Sequence, residues 1–492
     1  MYHSKSVTML IQRVATLSLL IVVSTVIQIP SADCEDDFVT SDGYLPPQNP
    51  PWPPSYNIHD SLITMQLNSM RLSSPSRGAQ FGIVSYDWSN MKYIWAASKP
   101  MNCEESLVEQ ATATKQAASE TLHNNTKVFV YRNIVKALPW FTTVRKKLDD
   151  PNYSGFFLKF DTTNVRKYHV PPCANEDPTH CSMYYHDQLQ TPQVPTTDQP
   201  YPDGVCTDNH CDCGMNPCGE YLFDHRNGTM LREWLIQEVI LGPTAIGHAD
   251  IDGLFLDDFW CSDLLCRNSN NVILGCPCND PVQGPTEVDR YSQMDMGLSD
   301  QDIADLTIQW NITMGNVQRA ILNYSAYTWS LFPGQNNANA WPTFLNSNAK
   351  ECMVACRRAC QADSIWQHYP ILFGFTIANS TVLSQLEQDL SYFLLVRGPY
   401  AYAGWGIWGM TWPFQADPSN HGALPPTADD VPLPVVFDID YGTPQEVCYE
   451  TEVNSGIFRR RWSKAIVELN CNTFDGTISL IDGMIIDTTA SK

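Results

Sequence analysis

Strand-length apolar runs alternate with helix-length amphipathic stretches through most of this chain, and that alternation restricts its fold more than any other feature. The runs that predict strands lie at 81–86, 127–131, 221–224, 251–258, 320–323, 370–375, 400–403 and 433–437. The helical patterns that separate several of them lie at 104–122, 230–241, 299–319 and 381–396, and Ser299-x-x-Asp302 resembles a capping box at the start of the third. Eight strands alternating with helices predict an α/β fold, a (β/α)8 TIM barrel, with its active site at the C-terminal ends of the strands.

The rest of the chain predicts additions to this barrel. Residues 1–34 are typical of a signal peptide, because Lys5 and Arg13 precede an apolar run at 15–29 that is shorter than the roughly 18–20 residues of a membrane span. We therefore expect a secreted protein, or a cell-surface protein if the segment is an uncleaved anchor. The remaining parts are a Pro-rich segment at 35–77, the barrel at 78–445 with an insertion at about 165–218, and a C-terminal β-hairpin element at 446–492.

Charge and cysteine content limit the partners and the compartment. The 53 acidic residues exceed the 30 Lys and Arg residues, and the net charge of −23 repels phosphate backbones and anionic membranes. We expect no nucleic-acid partner, and no membrane partner once the signal is removed. Cleavage after Cys34 would leave 16 of the 17 Cys, which can pair completely in an oxidising compartment. Six N-x-Ser/Thr sequons also suit secretion, at Asn124, Asn152, Asn227, Asn311, Asn323 and Asn379.

The clustered cysteines allow either disulfides or a metal site. Those nearest to His210 are Cys206, Cys211, Cys213 and Cys218. The sequence has no paired C-x2-C or H-x3-H knuckle of zinc-finger type, so disulfides are favoured. Cys448 and Cys471 are expected to form a disulfide across the C-terminal hairpin. A run of acidic residues at 250–263 lacks the spacing of a calcium-binding EF-hand loop, and we predict no metal ion and no cofactor.

The predicted strand ends carry carboxylates, hydrogen-bonding groups and aromatic rings. These side chains are Asp87, Trp88, Tyr131, Asn133, Asp224, Arg226, Asp257, Asp258, Trp260, Asn323, Tyr402 and Trp405. Cleavage of a glycosidic bond needs two carboxyl groups, about 5–5.5 Å apart for retention or 6.5–9.5 Å for inversion. Aromatic faces suit the C–H surfaces of sugars. We therefore predict a carbohydrate site in which Asp257, Asp224 and Asp258 are catalytic candidates and the other side chains bind substrate.

Two adjacent carboxylates follow the most apolar of the predicted strands. Asp257 and Asp258 come directly after Leu254-Phe255-Leu256, where burying both charges without a purpose would be costly. Neighbouring residues of a strand point to opposite faces, so only one of the pair is expected to reach the pocket directly, and the other caps or supports. Asp87 and Asp224 fit the capping of a following helix as well as they fit catalysis.

Several of these segments carry a resemblance to known proteins. Asp252-Gly-Leu-Phe-Leu-Asp257 resembles the D-G-hydrophobic-x-hydrophobic-D signature on the fourth strand of glycosyl hydrolase-like TIM barrels, near the α-galactosidase superfamily and the polygalactosaminidases. Asp224-His-Arg-Asn227 resembles a D-x-R-N element of the same families. The longer stretches at 87–90, 131–133, 221–227, 251–260, 397–400 and 440–444 are similar to a secreted, Cys-rich group of glycosyl hydrolase-like proteins, over most of residues 80–480.

This resemblance implies a role for Asp257 and leaves the second carboxylate open. Asp257 would be the fourth-strand catalytic carboxylate, acting as nucleophile or base. Related barrels take the acid from the end of the fifth or sixth strand, where this sequence has Asn323-Tyr324 and Gly374-Phe375-Thr376. The remaining candidates are Asp87, Asp224 and Asp258 at strand ends, and Glu351 and Asp363 in a Cys-rich connection, with Asp224 preferred.

Two hypotheses from different classes follow. The first is a secreted glycoside hydrolase that acts by carboxylate acid/base chemistry on an oligo- or polysaccharide. The second is a non-catalytic carbohydrate-binding or cell-surface protein on a degenerate barrel that lacks the second carboxylate. If no carboxyl group came within about 10 Å of Asp257, the hydrolase would have no mechanism.

Overall fold

The computed structural model describes residues 48–121, 125–159, 184–199, 201–206, 210–258, 260, 298–329, 338–340, 349–368, 370–374, 386–406 and 433–481. The predicted signal peptide and residues 35–47 of the Pro-rich segment lie outside these residues. Within the described part of the chain, no helix combines the length and the apolar character that crossing a membrane would require.

The strands are short and the helices fall between them. In chain order the strands are β1 Leu62–Gln66, β2 Ile83–Tyr86, β3 Lys127–Asn133, β4 Lys136–Ala137, β5 His186–Asp187, β6 Glu220–Leu222, β7 Gly253–Asp257, β8 Tyr327–Trp329, β9 Ala338–Ala340, β10 Ile371–Gly374, β11 Ala401–Gly406, β12 Tyr449–Glu450, β13 Ile457–Arg461, β14 Ala465–Asn470 and β15 Asp475–Leu480. The α-helices are α1 Ile58–Ser61, α2 Pro75–Gly78, α3 Lys92–Trp95, α4 Cys103–Ser119, α5 Thr142–Leu148, α6 Gly228–Trp234, α7 Asp300–Asn323, α8 Ala349–Ala359, α9 Ile365–His368 and α10 Leu386–Val396.

Eight strands form one curled parallel sheet in the order β8-β7-β3-β2-β1-β11-β10-β9. Pairing of β1 with β11 joins the N-terminal and C-terminal halves, so neighbours in the sheet follow the chain around a ring. This is the predicted (β/α)8 TIM barrel. The predicted runs at 127–131, 251–258 and 370–375 are confirmed as the barrel strands β3, β7 and β10.

One predicted boundary of the barrel and one of its predicted strands are wrong. Strand β1 pairs with β2 and β11, so the barrel starts before residue 78; its sequence, Leu-Ile-Thr-Met-Gln, mixes polar with apolar residues and offers no clean strand pattern. The run at 221–224 does not belong to the barrel. It contributes β6, which pairs antiparallel with β4 and β5 in a separate three-stranded sheet.

Two further predicted strands are helical. The run at 320–323 ends α7, where Val317 and Ile321 are buried four residues apart on one helical face, and the barrel strand follows as β8. The predicted capping box of α7 is confirmed, since Ser299 and Asp302 exchange the expected hydrogen bonds. The run at 433–437 contributes a 3₁₀ helix at Val435–Asp438 that follows Pro434, whose ring removes a strand hydrogen-bond donor.

Trp52, in the Pro-rich N-terminal segment, covers the lower end of the barrel, where the strands begin. The Trp52 ring packs edge-on against Phe129 and Tyr327, with ring centroids 6.3 and 5.7 Å away, and its Nε1 donates to the Tyr402 hydroxyl at 3.1 Å.

The C-terminal element is a four-stranded antiparallel sheet, β12-β13-β14-β15, rather than a single hairpin. Cys448 and Cys471 do not pair with each other as predicted. They bond to Cys360 and Cys352 of the α8 region, so the two bridges join helix α8 to this sheet. In the insertion, disulfides connect the cysteines of the cluster around His210, as Cys206–Cys211 and Cys213–Cys218.

A third cysteine lies one helical turn from the Cys352–Cys471 bridge. The buried free thiol of Cys356 is 3.8 Å from Cys471 Sγ. We expect Cys352→Ser to retain the link between α8 and the C-terminal sheet, because Cys356 can replace Cys352 as the partner of Cys471. Peptide mapping by mass spectrometry without reduction would detect the Cys356–Cys471 peptide. Cys356→Ser is the matched control and should keep the original pair; recovery of both Cys356 and Cys471 as free thiols in Cys352→Ser would contradict the prediction.

Candidate active site

The adjacent strands β3 and β7 bring four polar side chains together where they end. Asn133 and Asp257, the last residues of the two strands, are register partners, and Asp258 follows directly. Side chains two apart in a strand share a face, so Tyr131 lies on the same side of β3 as Asn133. This edge is the C-terminal end of the barrel, where the sequence predicted the site.

A chain of hydrogen bonds connects the two carboxylates. The Tyr131 hydroxyl donates to Asp257 Oδ2 at 3.0 Å, and Asn133 Nδ2 donates to the Tyr131 hydroxyl at 2.9 Å and to Asp258 Oδ2 at 2.6 Å. These three contacts in series limit the separation of Asp257 Oδ2 and Asp258 Oδ2 to about 8.5 Å, below the upper limit for inverting glycosidases. A second carboxyl group is therefore within reach of Asp257.

The backbone at Asp258 explains why both carboxylates reach the same cluster. Its φ is +61°, in the left-handed region that strands do not use and that Asp tolerates better than most residues. The strand ends at Asp257, so the alternation of faces stops there. Asp257 therefore binds Tyr131 and Asp258 binds Asn133, and the expectation that only one of the two side chains reaches the pocket directly stays a prediction.

The surroundings of Asp257 favour its neutral form. Burial raises the pKa of Asp257 to about 7, with further increases from the negative charges of Asp258 and Asp87; the Lys136 ammonium group and the Tyr131 hydrogen bond oppose the rise. Burial and the charge of Asp257 also raise the pKa of Tyr131 well above its usual value, which keeps the hydroxyl a donor. Asp257 is partly exposed, so a solute can reach it. Near neutral pH this group can both give and take a proton.

Two charged residues of this cluster were not found by sequence reasoning. Lys136 Nζ lies 2.9 Å from Glu220 Oε2 and 3.5 Å from Asp258 Oδ2. The pairing of β4 with β6 brings Glu220 close to Lys136 although the two are far apart in the chain. The only signal in the sequence was Lys136 itself, a lysine shortly after a barrel strand. Its contact with Glu220 depends on the antiparallel pairing of β4 with β6, which the periodicity of the sequence does not show.

Asp87 and Trp88 lie at the end of the neighbouring strand β2. The Asp87 carboxylate accepts hydrogen bonds from the Ser89 backbone N–H at 2.9 Å and the Ser89 hydroxyl at 2.6 Å, and burial raises its pKa. Its charge acts on Asp257 and Tyr131, so it belongs to the same electrostatic cluster. The partly buried Trp88 ring packs against Trp140, with centroids 5.4 Å apart.

Asp224 and Arg226 bind each other. The Asp224 carboxylate accepts from Arg226 Nε and Nη2, both at 2.9 Å, and from the Arg226 backbone N–H at 3.1 Å, which caps the 3₁₀ helix at His225–Asn227. Arg226 Nη1 also donates to Asp302 at 2.7 Å. In this arrangement Asp224 is an ion-paired cap, and its assignment as the second catalytic carboxylate stays a prediction.

The remaining predicted substrate-binding residues are dispersed. Trp260 is fully buried, and the side chain of Trp405, in β11, lies outside the described residues. Asn323 ends α7 and precedes β8, which places it at the lower end of the barrel. Tyr402 is also at that end, because its hydroxyl binds Trp52. The structure therefore gathers Asp87, Tyr131, Asn133, Asp257 and Asp258 and separates them from Asn323 and Tyr402.

A buried histidine beneath the three-stranded sheet should make the fold sensitive to acid. His225 Nε2 donates to the Ile134 carbonyl at 2.6 Å, and burial lowers the pKa of His225 to about 4. The unfolded chain binds this proton near pH 6.5, so the contribution to stability is complete above that pH and falls by about 3 kcal/mol as the pH drops to about 4. Urea unfolding of the wild type and of His225→Gln at pH 7 and pH 4 tests this. Equal losses in the two proteins would exclude His225 as the cause.

One cluster in the described residues has ligand atoms close enough for a metal ion. It consists of Cys352, Cys356 and Cys471, with ligand atoms within 4.8 Å of one another. The disulfide between Cys352 and Cys471 removes two of the three thiolates that a metal would need. This cluster belongs to the C-terminal element and has no part in the carboxylate site.

Comparisons with known proteins give only distant structural likenesses. No protein-family model and no curated protein sequence matches the chain. A sucrose 6F-phosphate phosphorylase from Thermoanaerobacter thermosaccharolyticum aligns over 88% of this chain and 98% of its own at 8% identity and a TM-score of 0.37. A maltogenic α-amylase, AmyB from Thermotoga neapolitana, aligns over 84% and 86% at 8% identity and a TM-score of 0.36. TM-scores and identities this low carry no argument about function.

Proposed function

We propose that this protein is a secreted glycoside hydrolase that cleaves O-glycosidic bonds at the C-terminal end of its barrel. The observation that carries the proposal is the Asp257–Tyr131–Asn133–Asp258 chain of hydrogen bonds. It keeps two carboxyl groups within about 8.5 Å of each other, below the upper limit for inverting glycosidases, on the edge where TIM barrels hold their active sites. The disulfides of the insertion and the C-terminal element suit an oxidising, extracellular location.

The two carboxyl groups have different roles in this proposal. Asp257, whose pKa is raised to about 7, is the proton donor to the leaving oxygen, since an acid works best when its pKa is near the working pH. Asp258 is the partner that activates water or attacks the sugar carbon. Asn133 holds Asp258 by a 2.6 Å hydrogen bond. The resemblance assigned Asp257 as nucleophile or base; the raised pKa favours the acid.

A screen of the secreted protein tests this function. Purified wild type is incubated with a panel of neutral, acidic and amino-sugar oligosaccharides, and new reducing ends are measured. We expect turnover of at least one class, with the product anomer, read by proton NMR, showing whether Asp258 acts on water or on the sugar. Saturable binding without turnover of any member would support the alternative, a non-catalytic carbohydrate-binding protein. N-terminal sequencing of the secreted chain tests cleavage of residues 1–34.

A further inference from the structure

The three-stranded sheet β4-β6-β5 places a positive charge beside the two carboxylates. Lys136 begins β4, directly after barrel strand β3, and its ammonium group bridges Glu220 and Asp258 at 2.9 and 3.5 Å. The three side chains are only 13%, 14% and 26% exposed, so solvent screens these charges less than on an open surface. Glu220 begins β6, which pairs antiparallel with β4.

The position of Glu220 is fixed by backbone contacts with the disulfide-bonded insertion. It follows Gly219, whose φ is +150° and whose added Cβ would lie 2.7 Å from the Asp187 carbonyl oxygen, so the chain passes very close to β5 here. The Cys213–Cys218 disulfide ends one residue earlier. The position of the Lys136 ammonium group is therefore determined by the insertion as well as by the barrel.

We infer that Lys136 is a positioning residue that, anchored by Glu220 of β6, holds the Asp258 carboxylate through their 3.5 Å ion pair and places a positive charge near both carboxyl groups. The inference rests on the proposed function only for its consequence in catalysis. The groups acting on Asp257 from neighbouring elements are Asp258, Lys136, Asp87 and Tyr131. The negative charges of Asp258 and Asp87 favour the protonated acid, whereas the Tyr131 hydrogen bond and the Lys136 ammonium group favour the carboxylate; Lys136 alone among the four supplies a positive charge. Removal of Lys136 should leave Asp257 protonated to a higher pH.

The test measures the titration of Asp257 directly. The carbonyl band of a protonated carboxyl group is followed by infrared difference spectroscopy against pH and is assigned by its loss in Asp257→Asn. We expect the titration midpoint to move up by about one pH unit in Lys136→Met, which is typical of losing an opposite charge at this range. Lys136→Arg should restore the wild-type midpoint, and Lys136→Gln, which keeps a hydrogen bond to Glu220, should behave like Lys136→Met.

A matched control variant and the infrared readout separate a failure of this inference from a failure of the proposed function. Lys115→Met removes the lysine that binds Asp252 at the opposite end of β7, and it should leave the midpoint unchanged. An unchanged midpoint in both Lys136→Met and Lys136→Gln, with unfolding midpoints showing that each variant is folded, would overturn the inference. Because the band does not depend on turnover, a shifted midpoint in a protein that cleaves no glycan would reject the proposed function and leave the inference intact.

Discussion

Replacement of Asp257 by Asn is expected to lower kcat/KM for glycan cleavage by a factor of about 10²–10⁴, the usual contribution of a positioned general acid. Asn is nearly the same size and can still accept the Tyr131 hydrogen bond through its amide oxygen. The substitution therefore removes the transferable proton and leaves the hydrogen-bonded cluster largely in place. Initial rates at saturating and limiting substrate would show whether kcat falls while substrate binding is retained.

The pH dependence gives a second readout of the same residue. An acid must be protonated to act, and the pKa of Asp257 is raised to about 7, so wild-type activity should fall as the pH rises through that value. If Asp257 acted instead as a base or nucleophile, activity would rise through the same pH. The residual activity of Asp257→Asn should lack this transition.

Asp250→Asn is the matched control for that substitution. Asp250 precedes β7 and lies at its opposite end, where it accepts a hydrogen bond from Thr112 at 2.8 Å. The same chemical change at this position should leave kcat/KM within about a factor of two, because surface substitutions away from special features have small effects. Full activity in Asp257→Asn, or an equal loss in Asp250→Asn, would remove Asp257 from the mechanism.

The sequence correctly predicted elements whose signals lie within a few consecutive residues. The β7 residues that precede Asp257 are all buried, as in a barrel strand covered on both faces, and three of the four are apolar side chains. The α7 capping box at Ser299 is encoded within four residues. These features need no information from distant segments, and both occur where the sequence placed them.

The features that were missed depend on contacts between distant segments. Strand-like residues at 221–224 pair with β4 rather than entering the barrel, and only that pairing brings Glu220 to Lys136. Asp258 joins the cluster because its backbone is left-handed, which no residue type at that position specifies. Periodicity therefore predicted the barrel class but not its strands β1, β8 and β9, which lie outside the predicted runs, and the charges around Asp257 depend on how the sheet β4-β6-β5 packs against the barrel.

Gly253, the glycine after Asp252 in the segment that ends in the catalytic candidates, has no room for a side chain, so its replacement is expected to destabilise the barrel strongly. A Cβ at this position would lie 2.4 Å from Phe129 Cε1 and 2.5 Å from the Tyr327 carbonyl oxygen. Both neighbours belong to strands paired with β7, so neither can move without disturbing the barrel. Gly253→Ala should reduce the free energy of unfolding by about 3 kcal/mol, the upper end for overpacking a well-packed core.

Urea unfolding of a double-mutant cycle would show where that cost arises. Phe129→Leu removes the ring atoms nearest to the added methyl group and leaves the backbone contact with Tyr327. Gly253→Ala should therefore be less destabilising in the Phe129→Leu background than in the wild type, since residues in contact are not additive. Equal unfolding free energies for Gly253→Ala and wild type would show that β7 tolerates a side chain here. A destabilised β7 should also displace Asp257, at the end of the strand, from its hydrogen bond with Tyr131. The close packing around Gly253 and the position of Asp257 therefore depend on the same backbone path.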